Sequence, residues 1–414
     1  MLNKAGEREL AYVVYVDKIE SIPGKDRVEC ARVGGWTVMV PKGAFKEGDL
    51  GIYFEIDSKV PVEKAPFEFC TKYKGHIKTQ KFKNSDGSQF WSQGLLMSAS
   101  DFGGFQEENI FGENVLVFGK NSFFGEVIRL EKGDFLTQKL GVTYYEVEDN
   151  KRKANKNPDG AINSALARHP KIAKKYGKFI KKNKVARAIF LLLFGKKKDN
   201  RSWPSHIASK TDVERIQNMM YILQDKQPYV ATEKIDGSSC SIMAERTKFG
   251  KIKYYICSRN VIFEDENQKC YYDENIYYEA YNKYNLKEKI TQILNDYNLP
   301  NVALQMEVFG PNIQKRDYSL NEHQAMIFHI VSNGKKMPMD KVVEICEKYN
   351  LPHVPIVDDN FIFPDTIEEL QTYVEGEGSK VDGKPREGIV FYDKATGQTY
   401  TKFVSPEFLI KFHS

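Results

Sequence analysis

The chain has 414 residues, enough for two or three domains that each bury a core, and its mix of 41% hydrophobic, 13% aromatic and 28% charged residues excludes disordered and collagen-like classes. The net charge of +5 is unevenly spread: residues 151–198 hold sixteen Lys or Arg against one acid, Asp159, a local +15 that leaves −10 for the rest. No apolar run approaches the roughly 20 residues that span a bilayer, and the longest, Ala188–Phe194, is flanked by lysines. The start of the chain, Met1–Leu10, lacks the apolar stretch of a secretory signal. The expectation is an intracellular protein, cytoplasmic or nuclear, with no membrane partner. The six cysteines form no CxxC pair and no zinc spacing, and are expected to be reduced, buried thiols.

In chain order, short strands are predicted at Leu10–Val16, Arg27–Val33, Trp36–Val40 and Gly51–Ile56, then near Gly94–Met97, Val115–Phe118 and Gly125–Leu130. Turn signals such as Pro23-Gly24 and Gly34-Gly35 separate them, and the pattern suggests a small β-barrel over residues 1–150. Residues 151–200 break the pattern as a basic, partly helical linker or insertion, with helices expected at Ala161–Ala167 and Ile172–Phe194. Such a segment is either a solvated tether or an arm for a polyanion, most commonly nucleic acid. Ordered structure resumes near Trp203-Pro204, and Thr211-Asp212-Val213-Glu214 resembles a capped helix start. From 201 to 414 an α+β domain of antiparallel sheets is expected. Its strands are Tyr229–Lys234, Cys240–Ala244, Ile252–Cys257, Val302–Phe309, Ala325–Val331, Gly388–Tyr392 and Thr399–Val404; its helices are Asp273–Tyr297 and Met339–Lys348.

One stretch carries unusual chemistry: Thr232-Glu233-Lys234-Ile235-Asp236-Gly237-Ser238-Ser239. A lysine ends an apolar strand, and the glycine after Asp236 permits a sharp turn. A lysine amine attacks only when unprotonated, so a catalytic role needs its pKa lowered from about 10.4. Alone, the string could be a surface turn. Further along, Glu307 and Glu387 stand in mostly apolar strands, where a carboxylate is costly unless it meets a cation. Ser258-Arg259-Asn260, Phe328 and Thr401-Lys402-Phe403 complete the series, with Lys411 nine residues beyond Lys402. Lys234, Asp236, Glu307, Glu387 and Lys402 together supply the charges that a nucleoside triphosphate and a metal would need.

This ordered set resembles the motifs of the covalent nucleotidyltransferase superfamily, and most resembles ATP-dependent RNA ligases with an N-terminal OB domain. Ile22–Glu29, Gly35-Trp36 and Gly48–Ser58 look like that OB module, and Lys210-Thr211-Asp212 with Arg215–Asn218 like the entry to the catalytic domain. The resemblance implies an OB-fold domain that binds nucleic acid, then an adenylyltransferase domain. It implies ATP and Mg²⁺ or Mn²⁺ as cofactors and RNA, or an RNA-containing nicked duplex, as partner; no obligate protein partner is evident. Lys234 would take AMP from ATP, pass it to a 5′-phosphate, and a 3′-OH would then expel it. Asp236, Glu307 and Glu387 would hold a hydrated metal, Lys402 would meet the α-phosphate, and Glu307 would also reach the ribose. Glu233 would contribute near the adenine edge, through its backbone. Arg259 would contact the nucleotide or terminal phosphates, with Lys210 and Arg215 on the pyrophosphate side. Phe328 would either stack on adenine or serve the core, and Arg215 could equally sit on a helix surface.

Many relatives carry a second lysine two residues from the one matched by Lys402. Here Tyr400 and Val404 stand there, leaving Lys402 alone or Lys411 as the second charge. The alternatives are a capping guanylyltransferase or DNA ligase, which usually carry the OB domain behind rather than in front, and a catalytically idle RNA-binding protein. The idle reading expects loss of Lys234, Asp236, Glu307 or Glu387, and none is lost.

Overall fold

The chain forms two compact units, residues 1–144 with 203–414, and residues 145–202. The computed structural model describes residues 1–4, 7–85, 87, 89–110, 112–145, 162, 166, 169–194, 203–210 and 212–413. The first unit opens with β1 (Ala11–Tyr15), β2 (Lys18–Ser21), β3 (Val28–Val33), β4 (Trp36–Pro41) and β5 (Leu50–Phe54). There follow β6 (Ser58–Lys59), β7 (Gln80–Lys83), β8 (Gln89–Ser92), β9 (Leu95–Ser98), β10 (Phe105–Ile110), β11 (Glu113–Phe118), β12 (Ile128–Leu130) and β13 (Thr143–Tyr144). They pair antiparallel in the orders β1-β5-β9, β2-β3-β4 and β10-β11-β12, with β6-β13 and β7-β8 as two-stranded ribbons. Alternation fixes the inward face: Trp36, Val38 and Val40 are buried while Thr37 and Met39 are half-buried. The strand β5 is buried throughout and serves two cores. Ile52 and Phe54 join Phe67 and Phe118, whereas Tyr53 joins Trp36 and Ile56.

In the second unit α1 (Pro170–Lys182) and α2 (Lys184–Phe194) meet through Ile180 and Phe190, which cluster with Ile162 and Leu166. The single helix expected here is two. Asn183 takes an extended conformation, and its side chain accepts the N–H groups of Val185 and Ala186 at 3.0 Å, restarting the helix. The helix expected at 161–167 lies outside the described residues apart from Ile162 and Leu166.

The rest of the first unit is α+β, as expected. In order it holds β14 (Tyr229–Lys234), β15 (Ser238–Arg246), β16 (Ile252–Ser258), β17 (Ile262–Phe263), α3 (Ile276–Lys283), α4 (Leu286–Asp296), β18 (Asn301–Phe309), β19 (Gln324–Ser332) and β20 (Lys335–Lys336). It ends with α5 (Met339–Lys348), β21 (Ile356–Phe361), α6 (Ile367–Gly376), β22 (Gly388–Asp393), β23 (Thr399–Val404) and α7 (Pro406–His413). Two antiparallel sheets result, β21-β14-β22-β23 and β17-β16-β15-β18-β19-β20. Ile290, Ile293, Val342 and Ile345 from α4 and α5 cover the larger sheet at Ile242, Leu304 and Ile330. Leu370 and Val374 of α6 cover the smaller at Ala231 and Phe391.

The helix expected over 273–297 breaks because Asn285 adopts a left-handed φ of 48°. The helix start expected at 211–214 does not form. Thr211 lies outside the described residues, and the next residues run beside β23: Lys402 N–H donates to Glu214 O at 3.0 Å and Arg215 bridges Lys402. The open edge of a sheet outcompetes a local cap there, and only short 3₁₀ turns follow at Ile216–Asn218 and Met220–Gln224. All six cysteines are free thiols.

Candidate active site

Lys234 ends β14 in the smaller sheet and Ser238 begins β15 in the larger. Only Ile235-Asp236-Gly237 carries the chain between them, so this stretch forms the hinge line of a cleft. Gly237 is required for close approach rather than for a left-handed turn. A Cβ there would lie 2.4 Å from Val308 O and 3.0 Å from Glu307 Cγ, while its φ is not positive.

The cleft has a volume of about 180 Å³. The smaller sheet lines it with Thr232, Lys234, Val390, Tyr392 and Lys402; the larger contributes Ser239, Glu307, Phe328 and His329; Asp212 and Arg259 also line it. Pairing explains the alignment. Thr232 faces Val390, which faces Lys402, and Lys234 lies one strand repeat along from Thr232 on the same side. In β18 the polar residues Gln305 and Glu307 share one side, with Ser239 opposite Glu307 and His329 opposite Gln305. The register between β18 and β19 skips Phe328, a bulge that turns its ring into the cleft wall.

The charges are closely coupled. Lys234 Nζ lies 2.7 Å from the Glu387 carboxylate. Burial alone would lower the Lys234 pKa, but the Glu387, Glu307 and Asp236 carboxylates outweigh it and hold the ammonium above its usual range. Burial pushes Glu307 up to about 8; Lys234 opposes the shift and the Glu387 and Asp236 charges reinforce it. Lys402 is drawn well below the ordinary lysine range by burial, then by Arg8, Arg215 and Lys234. Asp236 is buried, and its N–H donates to Tyr318 Oη at 2.7 Å. The Tyr318 ring is backed by Phe309 at 5.0 Å and by the Arg316 guanidinium at 4.0 Å. Arg316 is itself fixed by Asp382 and the Pro385 carbonyl, each at 2.6 Å.

Other expected site residues fall differently. Glu233 lines the cleft, but its carboxylate is turned away into the 379–380 turn, accepting from Ser379 Oγ and from Lys380 N–H at 2.7 Å. Its own N–H donates to Pro355 O at 2.9 Å, so that amide is already committed. Arg259 lines the cleft and pairs with Asp212. Lys210 does not line it and bonds Asn260 at 3.0 Å. Arg215 is not on a helix surface. It is buried against Asp57 at 3.3 Å and over Trp36 at 5.8 Å, joining the N-terminal module to the strand that bears Lys402. Lys411 lies exposed on α7 beside Phe412, away from the cleft lining. The cations near Lys402 are instead Arg8 and Arg215.

Sequence reasoning missed Arg8, Tyr318, His329 and Gln305. Nothing local marks Arg8 or Tyr318. Gln305 could have been found, because a polar residue two positions before Glu307 in an apolar strand must share its side. Its Oε1 accepts from His329 Nδ1 at 3.1 Å, and its Nε2 donates to Ser209 O at 2.8 Å. Among the described residues no three His, Cys, Asp or Glu side chains converge closely enough to ligate one ion directly.

Residues 227–412 match the RNA ligase family model. Residues 10–98 match an OB-fold domain model, ahead of the stretch that matches the RNA ligase model. Among solved structures, Naegleria gruberi RNA ligase with PPi is 24% identical, with a TM-score of 0.68, covering 98% of this chain and 99% of that one. A variant of that ligase with ATP and Mn is 23% identical at a TM-score of 0.67, covering 98% of each chain. Another with AMP and Mn is 22% identical at 0.62, covering 98% of this chain and 99% of that one. These likenesses carry the two-domain fold. No curated protein matches the sequence.

Proposed function

We propose that this chain is an ATP-dependent RNA ligase that joins a 3′-OH end to a 5′-phosphate end, at nicks in duplexes, through a lysyl-AMP intermediate. The single observation that carries the reading is Lys234, held against Glu387 at the line where two sheets part to form the cleft. In the first step Lys234 Nζ bonds to the α-phosphorus of ATP as the bond to the β-phosphate oxygen breaks, and pyrophosphate leaves with the electron pair. The ammonium proton must go first, and Glu387 is the acceptor in reach. AMP then passes to the 5′-phosphate, and the 3′-OH displaces it. Each transfer is an in-line displacement, so positioning and charge neutralisation supply the catalysis.

Lys402 faces the α-phosphate in this reading, and a cation of lowered pKa surrounded by Arg8 and Arg215 is suited to an anionic ligand. Phe328 stacks on adenine from the cleft wall. Arg259 meets the nucleotide or its terminal phosphates, while Arg215 and Lys210 stand outside the cleft lining and would act on the pyrophosphate side only from beyond it. Three carboxylates, Asp236, Glu307 and Glu387, crowd around Lys234, and burial with the Glu387 and Asp236 charges holds Glu307 high against Lys234 and Arg259. That imbalance supports a divalent ion, and the lack of direct convergence supports one held through its waters, as Mg²⁺ readily is. The ion would neutralise phosphate charge and weaken the field that keeps Lys234 protonated. The neighbours solved with ATP and Mn, or AMP and Mn, support the same cofactors here.

We assign residues 1–150 to the OB domain that grips the nucleic acid, 151–200 to an insertion and 201–414 to the catalytic domain. The β7–β8 hairpin is a candidate grip: Phe82 stacks on Phe90 at 5.3 Å and Lys81 lies over Trp91 at 4.5 Å. The test is sealing of duplexes nicked with RNA or DNA on either side. Sealing that requires an RNA 3′-OH strand is expected; joining of all-DNA nicks alone would overturn the substrate assignment.

A further inference from the structure

The helical pair of residues 145–202 carries an apolar stripe that its own core does not use. Phe190 and Ile180 fill that core. On the other side of α2, Val185, Ile189 and Leu193 are 68%, 53% and 67% exposed, and their four-residue spacing puts them in one row. In α1, Phe179 is 60% and Tyr176 48% exposed. Around this apolar surface stand Lys171, Lys174, Lys175, Lys178, Lys181, Lys182, Lys184 and Arg187, with no acid from 169 to 194. The α1 lysines fall within one arc of the helix and flank the aromatic pair, while its buried residues Gly177 and Ile180 occupy another.

Nucleic acid would account for the charge but not for the aliphatic row, because bases stack on flat rings and phosphates gain nothing from valine or leucine. A lipid surface accounts for both. Acyl chains take up the exposed apolar groups, and anionic headgroups pair with lysines whose long stems reach past them. We propose that this helical pair is a peripheral anchor for an anionic membrane surface, lying on the bilayer rather than crossing it. The charge complementarity commits the occupant to an acidic lipid layer. Among the described residues no helix is long and apolar enough to cross a membrane. This departs from the sequence-based expectation of no membrane partner and is independent of the ligase reading.

The test is cosedimentation of the full chain with phosphatidylcholine vesicles with and without phosphatidylserine. Binding is expected only with phosphatidylserine, weakening as salt rises. The double variant Ile189→Asn/Leu193→Asn should lower it about tenfold or more, while self-adenylylation and affinity for a nicked duplex stay unchanged. Lys174→Glu/Lys178→Glu should lower it too, which guards against misfolding of the first variant. Absence of vesicle binding would overturn the proposal. So would a double variant that still binds vesicles, one that loses nicked-duplex affinity instead, or one that abolishes a lipid-independent association between copies.

Discussion

At the scale of single residues, the site is a set of charges that raise or lower one another's protonation. Glu307 has a folded pKa of about 8 against an ordinary 4.5, so the folded chain holds a proton that the unfolded chain has released. Its contribution is therefore fully present below about 4.5 and is lost as pH rises through about 8. Glu307→Gln, which cannot ionise, should gain stability relative to the native chain across that window, read as a widening difference in melting temperature without ligands. A constant difference would mean Glu307 is ionised throughout. Tyr318→Phe removes the acceptor of the Asp236 N–H in a buried place, at a cost of about 1–3 kcal/mol. Slower adenylylation should accompany that loss if Tyr318 holds Asp236 in position. An adenylylation rate equal to the native one would leave Tyr318 with a purely structural part.

At the scale of elements, close strand contact aligns the charged groups of the cleft. Gly388 pairs with Lys234, and a Cβ on it would lie 2.1 Å from Phe403 O. Gly388→Ala should therefore push β22 and β23 apart and misplace Glu387 and Lys402. The expected result is a fall in adenylylation far larger than the fall in ATP affinity, measured by single-turnover kinetics; native kinetics would refute it. Much of this layer was legible in the sequence. The strands Tyr229–Lys234 and Thr399–Val404 and the helix Met339–Lys348 stand where apolar patterning puts them. So do the motif residues Lys234, Glu307, Phe328 and Lys402, because each is carried by a strand whose own pattern is strong. The misses have physical causes. A single Asn285 in the left-handed region splits a helix that periodicity runs together. The 212–215 segment is claimed by the edge of β23, a long-range bond that no local cap signals. The helix α6 was not read from the sequence, although Thr366 and Glu369 form a reciprocal capping box that marks its start.

At the scale of the whole molecule, the N-terminal module and the C-terminal α+β region share one buried polar junction. Glu55 is fully buried and meets Arg8 at 2.9 Å, Tyr12 Oη at 3.0 Å, Asn218 Nδ2 at 2.8 Å and the Met1 ammonium. Asn218 Oδ1 also accepts from Trp36 Nε1 at 2.7 Å, and Glu214, which accepts from Asn218, receives the Lys402 N–H on its carbonyl. Burial raises the Glu55 pKa, but Arg8, the Met1 ammonium and Arg215 outweigh it and bring it to about 2. Its stabilisation is present above about 4.5 and is lost as pH falls through about 2. Glu55→Ala strands Arg8 and should cost about 3–5 kcal/mol in denaturant unfolding at neutral pH, with a smaller penalty in acid. An equal penalty at both would contradict the ion-pair account. The most direct test of the central claim is the intact mass of the full chain after incubation with ATP and a divalent ion. One added AMP is expected on the native chain, with none on Lys234→Ala. An adduct that persists in Lys234→Ala, or one that forms from GTP but not from ATP, would contradict it.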